Sequence, residues 1–558
     1  MDKINKDLKY LILIWCIILA SIFITYAHHG NILIDCGREV YYPQQILAGK
    51  ILYKDLFNIY GPFAYMLNAL LFKLFGINLN VLYLAGCVCS FLILTSVYLI
   101  AKRFLSKFLS FSIAVFTIAI GVFNLTLFNF IFPYSYAMLY GFVSFLISFL
   151  FLLKYLENSE KNFFLYLSCF FAGLCVINKY EFLPYLIPFI YAIFKIKPLR
   201  FKQYYFAFLY LLFMPIFCLG VLLLQDVTVN DLIKTALVIK KMMQTQTLKY
   251  FYLSQGVYFQ SQTIPVLIKH FFLTVIPFGF FVWGFKLKSK FMSSFIMLLA
   301  TVLIFYWTTP AVFVFLPLLI LILSILSLKT LKENEKLALL VLSGILISLK
   351  TFWGLTTLNY GVFFVSFLLI ALFALISQRF NNDSFFNQKA VGTYFIVLAI
   401  FIGLQGIFVL QEKNYPVKTL RGIIYYYRDI GSATGELIDY ISKNTTKSDK
   451  IVIFPEGLLI NFLTDRKSDD YYNSLIPLYV ETFGEEKLVE HFEKTKPEYI
   501  IFNSWDTKDY YFHYICNDYA YSFCGFVDEN YTQEKLIENG FRYLIFGYSN
   551  IFDKNIKK

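Results

Sequence analysis

Asp35, Arg38 and Glu39 stand within five residues of one another, in the run Asp35-Cys-Gly-Arg38-Glu39-Val-Tyr-Tyr-Pro43. At that spacing the three side chains share one face of a short helix. A carboxylate and a guanidinium held together supply a general base beside a clamp for phosphate; ion pairs in a solvated loop have the same spelling. Further charge lies at the ends of apolar stretches: Lys179 and Glu181 in Asn178-Lys179-Tyr180-Glu181, and Lys350 in Leu349-Lys-Thr-Phe-Trp353, with Asn359-Tyr360 soon after. Charge in such a setting is expensive and marks a functional site or a structural pair; for Lys350 the other reading is a side chain reaching to the headgroups. The stretch Val238-Ile-Lys240-Lys241-Met-Met243 alternates apolar and basic residues. An interfacial helix has that pattern whether or not it captures a lipid phosphate, so Lys240 and Lys241 are candidates for contact with a lipid carrier. The chain has no Gly-rich phosphate loop, CxxC or HExxH and only 5 His, so neither a nucleotide site nor a structural zinc site is expected.

The background to these residues is strongly apolar. Of 558 residues 59% are hydrophobic and 15% charged, with 65 Phe and 43 Tyr. Soluble domains carry about 25% charge, so a soluble enzyme, a disordered chain and a nucleic-acid binder are excluded despite a net charge of +13. Apolar runs of about 17–25 residues give about thirteen membrane helices. They cover 10–27, 80–101, 108–123, 134–153, 163–177, 182–194, 204–224, 268–285, 291–307, 310–328, 337–352, 358–377 and 390–410. Basic clusters such as Lys102-Arg103-Lys107, Lys286-Lys288-Lys290 and Lys329-Lys332-Lys336 fall on alternate connections. Because Lys and Arg collect in the cytoplasm, the N-terminus is cytoplasmic and the C-terminus outside. The outside segments are then 28–79, 225–267 and everything after 411, and the chain divides into a membrane domain, 1–410, and an outside domain, 411–558.

The outside domain has α/β character. Ile451–Phe454, Tyr499–Phe502 and Tyr543–Gly547 are short apolar runs suited to buried parallel strands, and 431–443 and 484–495 are helical. Cys516 and Cys524, eight residues apart, lie where oxidation is permitted and are expected to pair.

With these pieces in order, the chain resembles the GT-C glycosyltransferases, particularly the bacterial branch related to protein mannosyltransferases and aminoarabinose transferase. The resemblance rests on Asp35 in the first outside loop, on 49–55, and on Tyr60-Gly61-Pro62 running into 63–76. It also uses Pro133-Tyr-Ser-Tyr136 and Asn178-Lys179-Tyr180-Glu181. It implies an α-helical polytopic fold with two short helices at the membrane surface, and transfer of a sugar from a polyprenyl-phosphate donor to a glycan, lipid or protein acceptor outside the cytoplasm of a cell with an inner membrane. Asp35 is then the base, with inversion at the anomeric carbon. Arg38, Lys350 and Lys179 are cations for phosphate, Glu39 and Glu181 orient these groups or contact the sugar, and Tyr60 and Tyr360 line the substrate site. Relatives often carry an acidic pair here, whereas Asp35 and Glu39 are separated, so Glu39 stays a rival base. No cofactor is required, and a divalent cation remains open. The competing functions are a polymerase or ligase of lipid-linked glycans and a transporter or flippase; neither an internal repeat nor mid-span charge, the usual marks of transporters, is present.

The orientation is open to direct measurement. A reporter active only in the cytoplasm, fused after Lys558, should be silent; a strong signal would overturn the orientation and the outside location of Asp35.

Overall fold

The computed structural model describes residues 2–158, 161–196, 200–379 and 387–548. Among them, seven helices are long and apolar enough to cross a membrane. They are Asp7–Ile24 (within α1, Asp2–Ile24), Leu79–Ala101, Tyr136–Glu157, Phe201–Leu224, Thr263–Gly284, Lys290–Trp307 and Gln388–Glu412. Burial separates hub from rim: 89% of the central window of Tyr136–Glu157 is enclosed by protein, against 17% for Lys290–Trp307. Exposed Phe208, Phe213, Ile216 and Phe217 on Phe201–Leu224 form an apolar flank suited to lipid.

The remaining expected runs also fall on helix, but several are shortened. The run 182–194 contains Pro184 and Pro188, which lack the N–H that an α-helix interior needs. It becomes a 3-10 turn, Tyr180–Tyr185, followed by one α turn, Leu186–Tyr191. Likewise 337–352 resolves into Glu335–Ile347 and the 3-10 turn Leu349–Thr351, and 358–377 begins with the 3-10 turn Tyr360–Phe363. Glu181, Lys350 and Tyr360 each sit in one of these three turns.

The segment 28–79 contains α2, Cys36–Leu47, and α3, Phe63–Phe75. Two glycines permit its close approaches. A Cβ on Gly37 would stand 2.3 Å from Leu459 N, in the helix Leu458–Thr464 of the C-terminal part of the chain. A Cβ on Gly61 would stand 1.6 Å from Ile177 O, and the Gly61 N–H donates to Asn178 O at 3.1 Å. That contact brings Tyr60 against the end of the helix that precedes Lys179.

After Gln388–Glu412 the chain forms an antiparallel hairpin, β1 (Tyr415–Thr419) and β2 (Gly422–Tyr426). A four-stranded sheet follows, built from β3 (Ile451–Phe454), β4 (Tyr499–Asn503), β5 (Tyr531–Glu538) and β6 (Arg542–Tyr548) in the order β3-β4-β6-β5. Only β3 and β4 are parallel; β6 runs antiparallel to β4, which corrects the all-parallel expectation. The cause is local. Asn539-Gly540, with Gly540 at φ 77°, turns β5 back into β6 as a hairpin. Cys516 and Cys524 are joined by a disulfide beside the helix Tyr521–Asn530.

The sheet domain rests on α2 through polar contacts. The Ser468 N–H donates to Tyr41 Oη at 2.8 Å, Asn473 Nδ2 donates to Tyr42 Oη at 3.1 Å, and Lys50 pairs with Asp470 at 2.7 Å. Tyr41 and Tyr42 are themselves buried.

Candidate active site

A cavity of about 190 Å³ opens where α2, the membrane helix ends and the sheet domain meet. Asp35, Arg38 and Tyr60 line it from the segment 28–79, and Glu181, Lys350 and Tyr360 from the 3-10 turns. Tyr252 adds a side from the segment 225–267, and Glu456, Tyr479, Trp505 and Tyr510 close it from the sheet domain. A narrower extension continues past Asp35, Arg38 and Glu456 towards Asn473 and Ser474.

Arg38 is the centre of one cluster. Its Nη2 lies 3.4 Å from Asp35 Oδ1 and donates to Tyr134 O at 3.2 Å; its Nε faces Glu39 Oε1 at 3.3 Å and Tyr65 Oη at 3.1 Å. The guanidinium also sits 4.9 Å from the centre of the Tyr60 ring, a cation–π contact. Nη1 makes no hydrogen bond among the described residues. Asp35 and Glu39, equivalent in the sequence, differ here. The Asp35 side chain is 32% exposed and faces the cavity. The Glu39 side chain is 0% exposed and does not line the cavity. Its carboxylate accepts the Tyr136 N–H at 2.7 Å and the Tyr65 hydroxyl at 3.0 Å. Glu39 therefore contacts Arg38 from inside the fold and has no opening to the cavity.

The second cluster joins the charges read at the helix ends. Glu181 Oε1 is 2.8 Å from Lys350 Nζ and 3.5 Å from Lys179 Nζ, while Glu181 Oε2 is buried without a partner among the described residues. Lys350 lies 3.8 Å from the centre of the Tyr360 ring. Lys179 is buried and donates to the Tyr134 hydroxyl at 2.6 Å, with the Tyr60 ring 4.7 Å away. Tyr60 and Tyr134 thus touch both clusters. Lys240 and Lys241 are exposed in the last turn of the helix Val229–Met242 and do not line the cavity, although the adjacent Met242 does. The disulfide Cys516–Cys524 borders a separate groove of the sheet domain. Among the described residues no group of three or more His, Cys, Asp or Glu is arranged to hold a metal ion.

Glu456 escaped the sequence reading because one acidic residue in a charged, soluble-like segment carries no signal. Its Oε2 accepts the Asp35 backbone N–H at 3.0 Å, and its Oε1 accepts the Ser474 hydroxyl at 3.0 Å. Burial, reinforced by the negative charge of Asp35, pushes the Glu456 carboxyl up to about 7. Burial likewise raises the Asp35 carboxyl, against the opposing pull of Arg38 and Lys179.

No protein-family model and no curated protein matches this sequence. Some solved structures align with this chain at low identity and TM-scores below 0.5. The oligosaccharyltransferase of Archaeoglobus fulgidus, tethered with an acceptor peptide containing the NVT sequon, matches 98% of this chain and 74% of its own at 13% identity, with a TM-score of 0.48. The same organism's oligosaccharyltransferase AglB, in complex with an inhibitory peptide and a dolichol-phosphate, matches 90% and 70% at 13% identity and a TM-score of 0.47. ArnT from Cupriavidus metallidurans, bound to undecaprenyl phosphate, matches 96% and 98% at 10% identity and a TM-score of 0.45.

The elevated Glu456 carboxyl makes stability depend on pH. Between its ordinary value of 4.5 and about 7, the folded chain holds a proton that the unfolded chain has released. Stability from this group therefore falls as pH rises through that window. Glu456→Gln removes the titration. From about pH 5 to about pH 8 the thermal midpoint of the unmodified protein should drop more than that of the variant; parallel curves would contradict the assignment.

Proposed function

We propose that this protein is an integral-membrane glycosyltransferase that moves a sugar from a polyprenyl-phosphate donor to an acceptor hydroxyl at the outer membrane surface. The observation carrying this reading is the shared cavity: an accessible carboxylate, Asp35, opens into the same enclosed space as Arg38 and Lys350. A sugar linked to a lipid phosphate brings its own leaving group, so such a site needs a base and phosphate-binding cations but no nucleotide pocket.

In this reading the acceptor oxygen attacks the anomeric carbon and the sugar–phosphate bond breaks, with the electron pair leaving on the lipid phosphate. Asp35 takes the acceptor proton, and direct displacement inverts the anomeric centre. Arg38, whose Nη1 is not committed to a protein partner among the described residues, and Lys350 hold the phosphate oxygens. Lys179 keeps Glu181 and Tyr134 in place, and the unpartnered Glu181 Oε2 accepts a sugar hydroxyl. The exposed apolar flank of the membrane helices accommodates the polyprenyl chain. The N-terminus lies in the cytoplasm of a cell whose inner membrane the protein spans, and residues after about 411 form a unit outside that helps to recognise the acceptor.

Mass spectrometry of surface glycans and lipids from cells lacking the protein should reveal a missing sugar, naming donor and acceptor together. In the same assay Asp35→Asn should lower transfer by roughly 10²–10⁴, the usual contribution of a general base, without loss of folded protein. Glu39→Gln should behave differently: it places an amide among donors and removes a charge facing Arg38, so folded yield itself should fall, since breaking a buried ion pair costs about 3–5 kcal/mol. Full transfer by Asp35→Asn would remove the proposed base.

A further inference from the structure

Asp35 has an unusual backbone. At φ 55°, ψ −57° it occupies a region that residues with a Cβ seldom adopt. The Cys36 N–H donates to Ile34 O at 2.6 Å, closing a three-residue turn with Asp35 at its centre, a strained form of the γ-turn. Such a turn leaves the central N–H pointing outward, and its partner here comes from the sheet domain: Glu456 Oε2 at 3.0 Å.

Glu456 is itself fixed from several directions. It follows β3, beside the carboxyl end of the parallel β3–β4 pair, the side of an open sheet at which α/β domains bind ligands. Ser474 donates to its Oε1, and Asn503 Nδ2, at the end of β4, donates to its backbone carbonyl at 2.7 Å. The next residue, Gly457, leaves no room for a Cβ, which would meet Ile453 Cγ2 at 2.4 Å. Strained backbone persists only where its surroundings over-determine it. Without the carboxylate, the Asp35 N–H has no protein acceptor at this position, and the turn can relax towards ordinary φ, carrying the Asp35 side chain away from Arg38 and the cavity.

We propose that Glu456 is a positioning residue for transfer: by accepting the Asp35 N–H it locks the strained turn that aims the Asp35 carboxylate into the cavity. The proposal rests on the reading of Asp35 as base, and it makes the base competent only when the sheet domain is seated on α2.

Hydrogen–deuterium exchange of the full chain in lipid nanodiscs, followed in peptides covering 30–40, tests the lock without reference to activity. Glu456→Ala should speed exchange in this segment by about tenfold, the scale of losing one hydrogen bond to a charged group. Glu456→Gln keeps an acceptor oxygen for the Asp35 N–H and turns its amide to Ser474, whose hydroxyl also accepts. Its exchange should match that of the unmodified protein. In the surface-glycan assay Glu456→Ala should lose about a hundredfold, the cost of misplacing a reacting group by about 1 Å, and Glu456→Gln should restore transfer to within a few-fold. Unchanged exchange in Glu456→Ala overturns the lock. A Gln variant as inactive as the Ala variant, with normal exchange, overturns the positioning role. If exchange responds as expected but Asp35→Asn transfers normally, the lock stands and the reading of Asp35 as base fails instead.

Discussion

The site is organised by the need to answer the charge of Arg38 away from bulk water. A guanidinium with 14% side-chain exposure requires nearby acceptors, and it has Asp35, Glu39, the Tyr65 hydroxyl, the Tyr134 carbonyl and the Tyr60 ring. Each partner belongs to a different constraint. Glu39 is spent on Arg38, Tyr65 and the start of the central helix Tyr136–Glu157, which ties α2 to the hub of the membrane region. Tyr60 is brought in by the close passage of Gly61 along Ile177 and Asn178. Asp35 is left with its carboxylate facing the cavity. One ion cluster thereby holds Glu39, on α2, away from the cavity and leaves Asp35, in the turn just before that helix, facing it.

The same logic explains why the cavity lies at a junction. A charged pocket wholly within the membrane region would carry a heavy desolvation cost, and one wholly on the sheet domain would be remote from a lipid-borne substrate. Between them, Glu181 offsets part of the charge of Lys179 and Lys350 at helix ends while aromatic rings cover the two ammonium groups. The sheet domain closes the space with Glu456, Tyr479, Trp505 and Tyr510, and it is held there by the polar contacts of Tyr41, Tyr42 and Lys50. Position in this site is set by a few short-range contacts on strained or proline-interrupted backbone rather than by long regular elements.

This division also decides what the sequence could reveal. Arg38, Lys179, Glu181 and Lys350 stand out because charge is rare and costly in an apolar chain; the structure places Arg38, Glu181 and Lys350 on one cavity and buries Lys179 beside Glu181. Asp35 and Glu39 could be found but not told apart, since their difference lies in which one the Tyr136 N–H and Tyr65 reach. Glu456 was invisible, because beyond residue 411 charge is ordinary and its meaning depends on a contact with Asp35 across 421 positions of sequence. The pattern of membrane helices was legible from apolar length, whereas their interruptions followed from Pro184 and Pro188 and from the turns at 349–351 and 360–363. In the sheet, β3, β4 and β6 were visible as apolar runs. β5 was not: Tyr531–Glu538 is half-exposed and polar, and only the turn at Asn539-Gly540 betrays it.

Where the phosphate of a lipid carrier binds is the most direct test of the account. Electron cryomicroscopy of the full chain in nanodiscs loaded with a polyprenyl phosphate should find the phosphate in the cavity, with its oxygens about 3 Å from Arg38 or Lys350 and the Asp35 carboxylate facing the space left for the sugar. A phosphate held instead at the cytoplasmic ends of the helices, or at Lys240 and Lys241 with the cavity unoccupied, would contradict it.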